Sequence, residues 1–440
     1  GYGDVSSHGN PVLKTPNLDV LAKESVRFTD FHVAPMCSPT RGQLMTGIDA
    51  MRNGCTAVCQ GRSMMRSELP TMANFFAESG YATGHFGKWH LGTLTKTVKD
   101  ANRGGDPKNI AHFSPPQNNG FDVCFSTESK VPTYDPMIKP KKNAGNAWDS
   151  ITDQSNAAAY GTYYWDEKGE IVRDNLDGDN SRIIMDRAIP FIEKSHSKDQ
   201  PFFAIIWFHT PHLPVVAGPE HRAMYSQYDN VRKRNYYGCV TAMDEQMGRL
   251  RETLKDLKVA DNTLLCFWSD NGPEGNSSDP GSAGPFRGRK RSLYEGGVRV
   301  PGLIEWPTRI QGGMETDFPA VTSDYLPTIL DALDVEALDD RPIDGISLLP
   351  VFDGNLNERP RPIGFRSRDM IALSDNRYKL YGDLKKKTWE LYDLSEDPSE
   401  TTDVSSEHPK ILASMIETVN RWKESCEASD EGADYVNGSR

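Results

Sequence analysis

The chain has 440 residues, with 50 Lys and Arg against 62 Asp and Glu, a net charge of −12. That length is too great for one ordinary core and suits a large α/β domain beside a smaller one. The charge argues against general affinity for nucleic acid, and no apolar run is long enough to cross a membrane as a helix. An acidic chain that handles an anion must gather its basic residues locally.

The sequence opens on "GYGD", without an initiator Met or a secretory signal, so a processed chain or a fragment is expected. "TPNLDVLAKESVRF" reads as a helix capped by Thr15, with Pro16 in its first turn and Leu18, Leu21 and Ala22 on its apolar face. "APMCSPTRGQLMTG" reads as a second helix starting near Pro39. Cys55 and Cys59 sit four apart; no second Cys or His pair matches a zinc site, so a local disulfide or two free thiols outweighs a zinc half-site. "LPTMANFFAESGYATGHFGKWHLG" reads as a helix ending at Gly80, a short strand and a loop. Phe202–Phe208 is a fully apolar run, expected as a buried parallel strand. A helix from Tyr236 to Leu257 places Met243, Met247, Leu250 and Leu254 on one face. Thr263–Trp268 reads as another buried strand, "VRVPGLIEW" as a further strand and "SDYLPTILDAL" as a helix.

Strands alternating with helices predict an α/β fold, a mostly parallel central sheet covered on both faces. The tail differs. "MIALSDNRYKLYGDL" and "TWELYDLSEDP" read as antiparallel strands, and "HPKILASMIETVNRWKESCE" as a closing helix. The expected division is a main domain over 1–354 and a smaller α+β subdomain over 355–440. Loops 98–150 and 272–292 are long enough to be functional.

Ligands of open α/β sheets bind beyond the carboxyl ends of the strands, so polar residues there are the candidates. "SDNG" places Asp270 and Asn271 directly after a strand. A carboxylate beside an amide oxygen suits Ca2+ or Mg2+, and an Asx turn is the plainer alternative. "FHTPHLP" places His209 and His212 after the Phe202 strand, in a loop stiffened by Pro211 and Pro214; both are acid–base candidates. In "GHFGKWHLG", Lys88 and His90 share a face if the segment is extended, with His85 earlier in the strand. "FRGRKRSLYEGGVRVP" holds Arg287, Arg289, Lys290 and Arg291, either a solvated run or the anion site that the net charge calls for. Cys37 lies near a helix N-terminus, where N–H groups and the helix dipole favour an anion, and Arg41 is one turn on. The spacing is Cys-x3-Arg, not the Cys-x5-Arg of cysteine phosphatases.

Together these segments resemble the formylglycine-dependent sulfatases of the alkaline phosphatase superfamily. "CSPTRGQLMTG" matches Cys-x-Pro-x-Arg followed by Thr-Gly, and "GKWHLG", "SDNG", "YEGGVRVP" and "TSDYLPTIL" follow in the family's order. The resemblance implies that a maturation enzyme oxidises Cys37 to formylglycine, whose hydrate carries two hydroxyls on one carbon. One attacks the sulfur of a sulfate ester; the other, deprotonated, collapses to the aldehyde and expels sulfate. It also implies that Asp270 and Asn271 ligate Ca2+, with Mg2+ as the alternative. Arg41 would hold the formylglycine and His90 would deprotonate a hydroxyl of its hydrate. Lys88 and Lys290 would contact sulfate, and His212 would contact sulfate or protonate the leaving oxygen. His209 is the weaker histidine, because the family's residue sits just ahead of x-Pro.

Three departures stand out. Thr40 replaces the family's frequent Ser or Ala, and "LMTGID" lacks the usual arginine after Thr-Gly. In the family, "GYGD" follows a buried strand of about 5–6 residues that ends in two metal-binding aspartates. Asp4 does not replace them, so a sequence truncated at its N-terminus is expected, one that binds the cation weakly by itself. The expected activity is hydrolysis of a sulfated carbohydrate or aryl sulfate by an exported enzyme, with "FSTESKVPTYDP" and the basic loop shaping the pocket. One alternative is a phosphodiesterase or phosphonate hydrolase, disfavoured by the motif around Cys37. The other is a non-catalytic binder of sulfated glycans, opposed by the retained Arg41, Lys88, His90, His212 and Lys290.

Overall fold

A computed structural model describes residues 1–58, 62–338 and 341–435. Cys59 lies outside the described residues; Cys55 is a buried thiol that donates to the Ser38 carbonyl at 3.1 Å.

The first helix, α1 (Pro16–Glu24), buries Leu18 and Leu21. Thr15 does not cap it as its sequence position suggests. Its Oγ1 instead accepts the Ser6 N–H at 2.9 Å, tying the first residues to the helix start. Strand β1 (Val26–His32) leads into α2 (Cys37–Thr46), which begins two residues earlier than Pro39 and ends at left-handed Gly47. Helix α3 (Met72–Glu78) starts with a Thr71–Asn74 capping box, and Gly80 (φ 84°) turns the chain into β2 (Ala82–Lys88). Then come β3 (Val123–Thr127), α4 (Asn180–Ser197), β4 (Phe202–Trp207), α5 (Val231–Asp256), β5 (Leu265–Trp268), β6 (Arg299–Glu305) and α6 (Tyr325–Leu333).

The α/β layering matches the expectation. Phe86 and Phe125 pack with Ile184 and Phe191 of α4 on one face; Phe203 and Trp207 pack with Phe75 and Phe76 of α3 on the other. The strand directions are mixed. β2 runs parallel to β3 and β4, but β6 runs against both β1 and β5. β6 is the neighbour of β5 and runs back along it after a long connection that ends in the single turn Glu295–Val298.

Strands β1–β6 fall into two sheets. One has the order Met314–Thr316, β1, β6, β5; the other has Ile171–Val172, Tyr164–Trp165, β3, β2, β4. Among the described residues, β4 pairs only with β2 and β5 only with β6. Their free edges flank a cleft of about 920 Å³, lined by Phe203, Ile205 and Trp207 of β4, Leu265 and Phe267 of β5, and Met243, Met247 and Leu250 of α5. This corrects the expectation of two fully buried strands: most of the residues of β4, and all of those of β5, are only half-buried.

The tail folds as a four-stranded antiparallel meander, β7 (Ile363–Ser367), β8 (Met370–Ser374), β9 (Tyr378–Asp383) and β10 (Thr388–Asp393). Met415 and Val419 of α7 (Pro409–Asp430) cover it. The meander is joined to the rest by buried charge. Lys379, fully buried on β9, donates to Glu295 at 2.5 Å and lies 3.5 Å from Glu400. Burial would raise the Glu295 carboxyl, but Lys379, His32 and Arg299 outweigh it and hold it well below the usual range. Lys379→Met leaves these buried carboxylates short of a cation. A stability loss of about 3–5 kcal/mol is expected in urea unfolding; a loss within error would mean that Glu295 simply takes up a proton.

Candidate active site

The polar groups singled out in the sequence converge at the carboxyl ends of β2, β4 and β5. Cys37 opens α2, so its side chain sits where the helix's free N–H groups begin. Its Sγ lies 3.1 Å from His90 Nδ1, and both residues are buried. One turn along α2, Arg41 donates to Asp270 Oδ2 at 2.8 Å and to the Lys88 carbonyl at 2.5 Å, and its guanidinium lies over Trp207 at 4.4 Å. Thr40 Oγ1 donates to the Asp270 carbonyl at 2.8 Å. The helix that carries Cys37 is therefore bolted to both the β2 and the β5 strand ends.

Lys88, Arg41, His209, His212, Asp270, Asn271 and Lys290 line the polar end of the cleft. Lys88 is 2% exposed, and burial pushes its ammonium below the usual value. Burial pushes His90 and His212 well below the usual imidazole value. Lys88 reinforces this at both, Arg41 and Arg103 at His90, and Lys290 at His212, so both rings are neutral near pH 7. His212 follows one cis prolyl bond and precedes another, and its Nδ1 lies 2.7 Å from the Leu213 carbonyl oxygen. Burial alone would raise the Asp270 carboxyl; Arg41, Lys88 and Lys290 outweigh it and hold it well below the usual range.

Asn271 Oδ1 is a buried oxygen without a hydrogen-bond partner. Beside the ionised Asp270, it offers the hard, unsatisfied oxygen donors that a Ca2+ or Mg2+ ion takes, as part of a larger ligand set. A second buried group, Asp30, His32 and Glu295, also brings donor atoms together. There the cation's place is already taken. Arg299 lies 3.4 Å from Asp30 and 3.2 Å from Glu295, and Lys379 lies on Glu295.

Of the basic cluster, Lys290 alone lines the cleft, where its Nζ also lies 3.3 Å from Glu274. Arg287 stacks on Tyr294 at 3.9 Å and donates to Tyr392; Arg289 donates to the Glu274 and Gly281 carbonyls; Arg291 pairs with Glu274. His209 is buried against Thr127 at 3.1 Å, and His85 against Ser126 at 2.7 Å. Glu128, within the "FSTESKVPTYDP" stretch, accepts the His90 N–H on its carbonyl, and Arg103, within loop 98–150, donates to its carboxylate; neither was singled out as a site residue.

The sulfatase family matches residues 1–335 of the chain. The chain belongs to the sulfatase family. It is a sulfuric ester hydrolase. The C-terminal region of N-sulphoglucosamine sulphohydrolase matches residues 284–425. This sulfatase is 30% identical to N-acetylgalactosamine-6-sulfatase of Sus scrofa over 434 residues, 93% of the chain and 76% of the relative. It is 29% identical to arylsulfatase A of Homo sapiens, over 94% of the chain and 84% of the relative. The crystal structure of Ps i-CgsB superposes with a TM-score of 0.81 at 28% identity, covering 96% of this chain and 90% of that one. Among the described residues of the sulfatase, no helix is long and apolar enough to cross a membrane.

Proposed function

We propose that this sulfatase removes sulfate from a sulfated carbohydrate, using a formylglycine made from Cys37. The observation that carries the reading is the meeting of Cys37 and His90 at 3.1 Å in an acidic chain that gathers Arg41, Lys88, His212 and Lys290 along one cleft, with Arg41 one turn after Cys37 and Lys88 two residues before His90. The matured residue supplies a nucleophilic oxygen for sulfur and a second hydroxyl whose deprotonation expels sulfate.

The chain's own groups do the rest. His90, neutral and in reach of residue 37, takes the proton from the hydroxyl there. Arg41 fixes the geometry by bridging Asp270 and the Lys88 carbonyl. Lys88 and Lys290, both lining the cleft, neutralise the sulfate oxygens. His212, beside both lysines, contacts the bound sulfate; the negative charge that the ester brings beside the ring favours its imidazolium form, which can give a proton to the leaving sugar oxygen. Asp270 and Asn271 hold Ca2+, or Mg2+ in its place, which neutralises further sulfate charge when bound.

The sugar substrate is supported by the relatives. One is an N-acetylgalactosamine-6-sulfatase, and Ps i-CgsB was also solved with k-i-k-neocarrahexaose at 27% identity and a TM-score of 0.80. Phosphonate monoester hydrolase of Agrobacterium radiobacter shares the fold, at 19% identity and a TM-score of 0.63. The Cys-x-Pro-x-Arg sequence at Cys37 favours sulfate over phosphonate.

The cleft between β4 and β5 has a place in this reading. The groups that follow both strands meet at one end, so both strands run toward it. One apolar segment joined ahead of Gly1, which lines the cleft, would pair with both free edges and end beside Asp270 and Asn271. Two carboxylates at its end would complete the cation's oxygens.

The deciding experiment is the mass of tryptic peptide 28–41 from protein co-expressed with a formylglycine-generating enzyme. An aldehyde or its hydrate at Cys37 is expected. An unmodified thiol beside a working maturation control would replace this reading with that of a binder of sulfated glycans.

A further inference from the structure

His90 has a left-handed backbone, φ 59°, a conformation that a residue with a Cβ holds only where its surroundings over-determine it. Three contacts do so. Its N–H donates to the Glu128 carbonyl at 2.8 Å, its own carbonyl accepts Ser38 Oγ at 2.7 Å, and its ring meets Cys37. Ser38 is the neighbour of Cys37 on α2. Glu128 directly follows β3, on a separate loop, and what holds that loop decides where the imidazole stands.

Glu128 is 1% exposed. Its carboxylate accepts Arg103 Nε at 2.8 Å and the Gly104 N–H at 2.8 Å, while Arg103 Nη1 donates to Ser63 Oγ at 2.5 Å. The Arg103 loop is itself closed by Asp100, whose N–H donates to the Gly104 carbonyl and whose carboxylate accepts Thr162 Oγ1 at 2.6 Å. Burial pushes the Glu128 carboxyl up and Arg103 opposes this, so Glu128 depends on its partner.

We infer that the pairing of half-buried Arg103 with buried Glu128 is the positioning device for His90: it fixes the Glu128 carbonyl from which the His90 amide hangs, and so keeps the imidazole on residue 37. The inference rests on the sulfatase reading of His90. Arg103 also joins Lys88, Arg41 and His212 among the charged and titratable groups that burial brings to bear on the ring. A residue that orients a catalytic group from behind is worth about 10- to 100-fold in activity.

The test uses the full chain, matured, as Arg103→Met, Glu128→Gln and the double variant. The expected result is a fall in kcat of about 10- to 100-fold in each single variant, with KM nearly unchanged. The double variant should be no worse than the singles, because the pair acts as one unit. Loss of Arg103 should also move the acidic limb of the pH–rate profile to higher pH. In unmatured protein, the pH dependence of Cys37 alkylation by iodoacetamide reads the Cys37–His90 contact without turnover, and Arg103→Met should change it. Arg251→Met is the stability control. It removes a buried cation from Glu305 at the far end of β6 and should move neither readout. A raised KM with unchanged kcat in Arg103→Met would make Arg103 a substrate contact and overturn the inference. Wild-type kcat and alkylation in both single variants would overturn it too. If the matured wild type shows no turnover at all, the sulfatase reading fails, and the alkylation profiles still decide whether the pair positions His90.

Discussion

Cys37→Ala, expressed with a working maturation enzyme, is expected to lose about 10⁶-fold in turnover of a sulfate ester, the scale on which deletion of a covalent nucleophile acts. Cys37 starts α2, and its side chain is 2% exposed against His90. The substitution removes one buried atom and leaves α2 held by Arg41 and Thr40, so folding should survive and sulfate binding should persist through Lys88 and Lys290. The loss therefore falls on kcat. Lys88→Ala should cost less, about 10²- to 10³-fold, because it removes one source of charge stabilisation and leaves the nucleophile in place. Michaelis–Menten kinetics on an aryl sulfate and on a sulfated sugar measure both. Turnover by Cys37→Ala within tenfold of wild type would mean that hydrolysis does not pass through residue 37.

The site was legible where function compresses into short local patterns. Asp270 and Asn271 stand next to each other, Lys88 and His90 are two apart, and Cys37 and Arg41 are one helical turn apart. Each pattern follows or opens a regular element, so its direction could be read from the element. Density of charge was a poorer guide. Arg287, Arg289 and Arg291 serve aromatic stacking, loop carbonyls and Glu274, and Lys290 faces the cleft because the chain bends between them, at Gly288 (φ 86°) and at Arg291 (φ 78°). Nothing in composition announces such bends.

Long-range partners were illegible for the same reason. Arg103 and Glu128 are 25 residues apart in loops and meet only because β3 ends beside β2. The left-handed His90 follows from those contacts, not from its own side chain. The run Phe202–Phe208 reads as buried because its composition is apolar, yet burial also needs a neighbour on each edge, which hydropathy cannot supply. By contrast, the antiparallel strands read in "MIALSDNRYKLYGDL" form the β8–β9 hairpin, whose turn the Asp375 carboxylate closes by accepting the Arg377 and Tyr378 N–H groups.

Calorimetric titration of the 440-residue chain with Ca2+ should give weak binding, with a dissociation constant on the order of 10⁻⁴–10⁻³ M or weaker, since a hard cation wants 6–8 oxygens and Asp270 and Asn271 supply few. Joining ahead of Gly1 an apolar segment of about six residues that ends in two aspartates should tighten binding at least a hundredfold. The same segment should raise stability, because each large apolar side chain it buries against Phe203, Trp207, Leu265 or Met247 is worth about 1.5–3 kcal/mol. The junction is tolerant. The Gly1 ammonium now pairs with Asp4 at 2.7 Å, and when it becomes a peptide group Asp4 keeps the Tyr236 hydroxyl at 2.8 Å and the Ser282 N–H at 2.9 Å. Tight binding by the 440-residue chain would overturn the prediction. Asp30→Asn would then show whether the ion had entered the Asp30, His32 and Glu295 group instead, where Arg299 and Lys379 already supply the positive charge. An extended chain with unchanged melting temperature and unchanged affinity would mean that the cleft is not where the segment goes. Stabilisation without tighter binding would separate the two roles, with the segment completing the sheet and the cation's remaining oxygens coming from elsewhere.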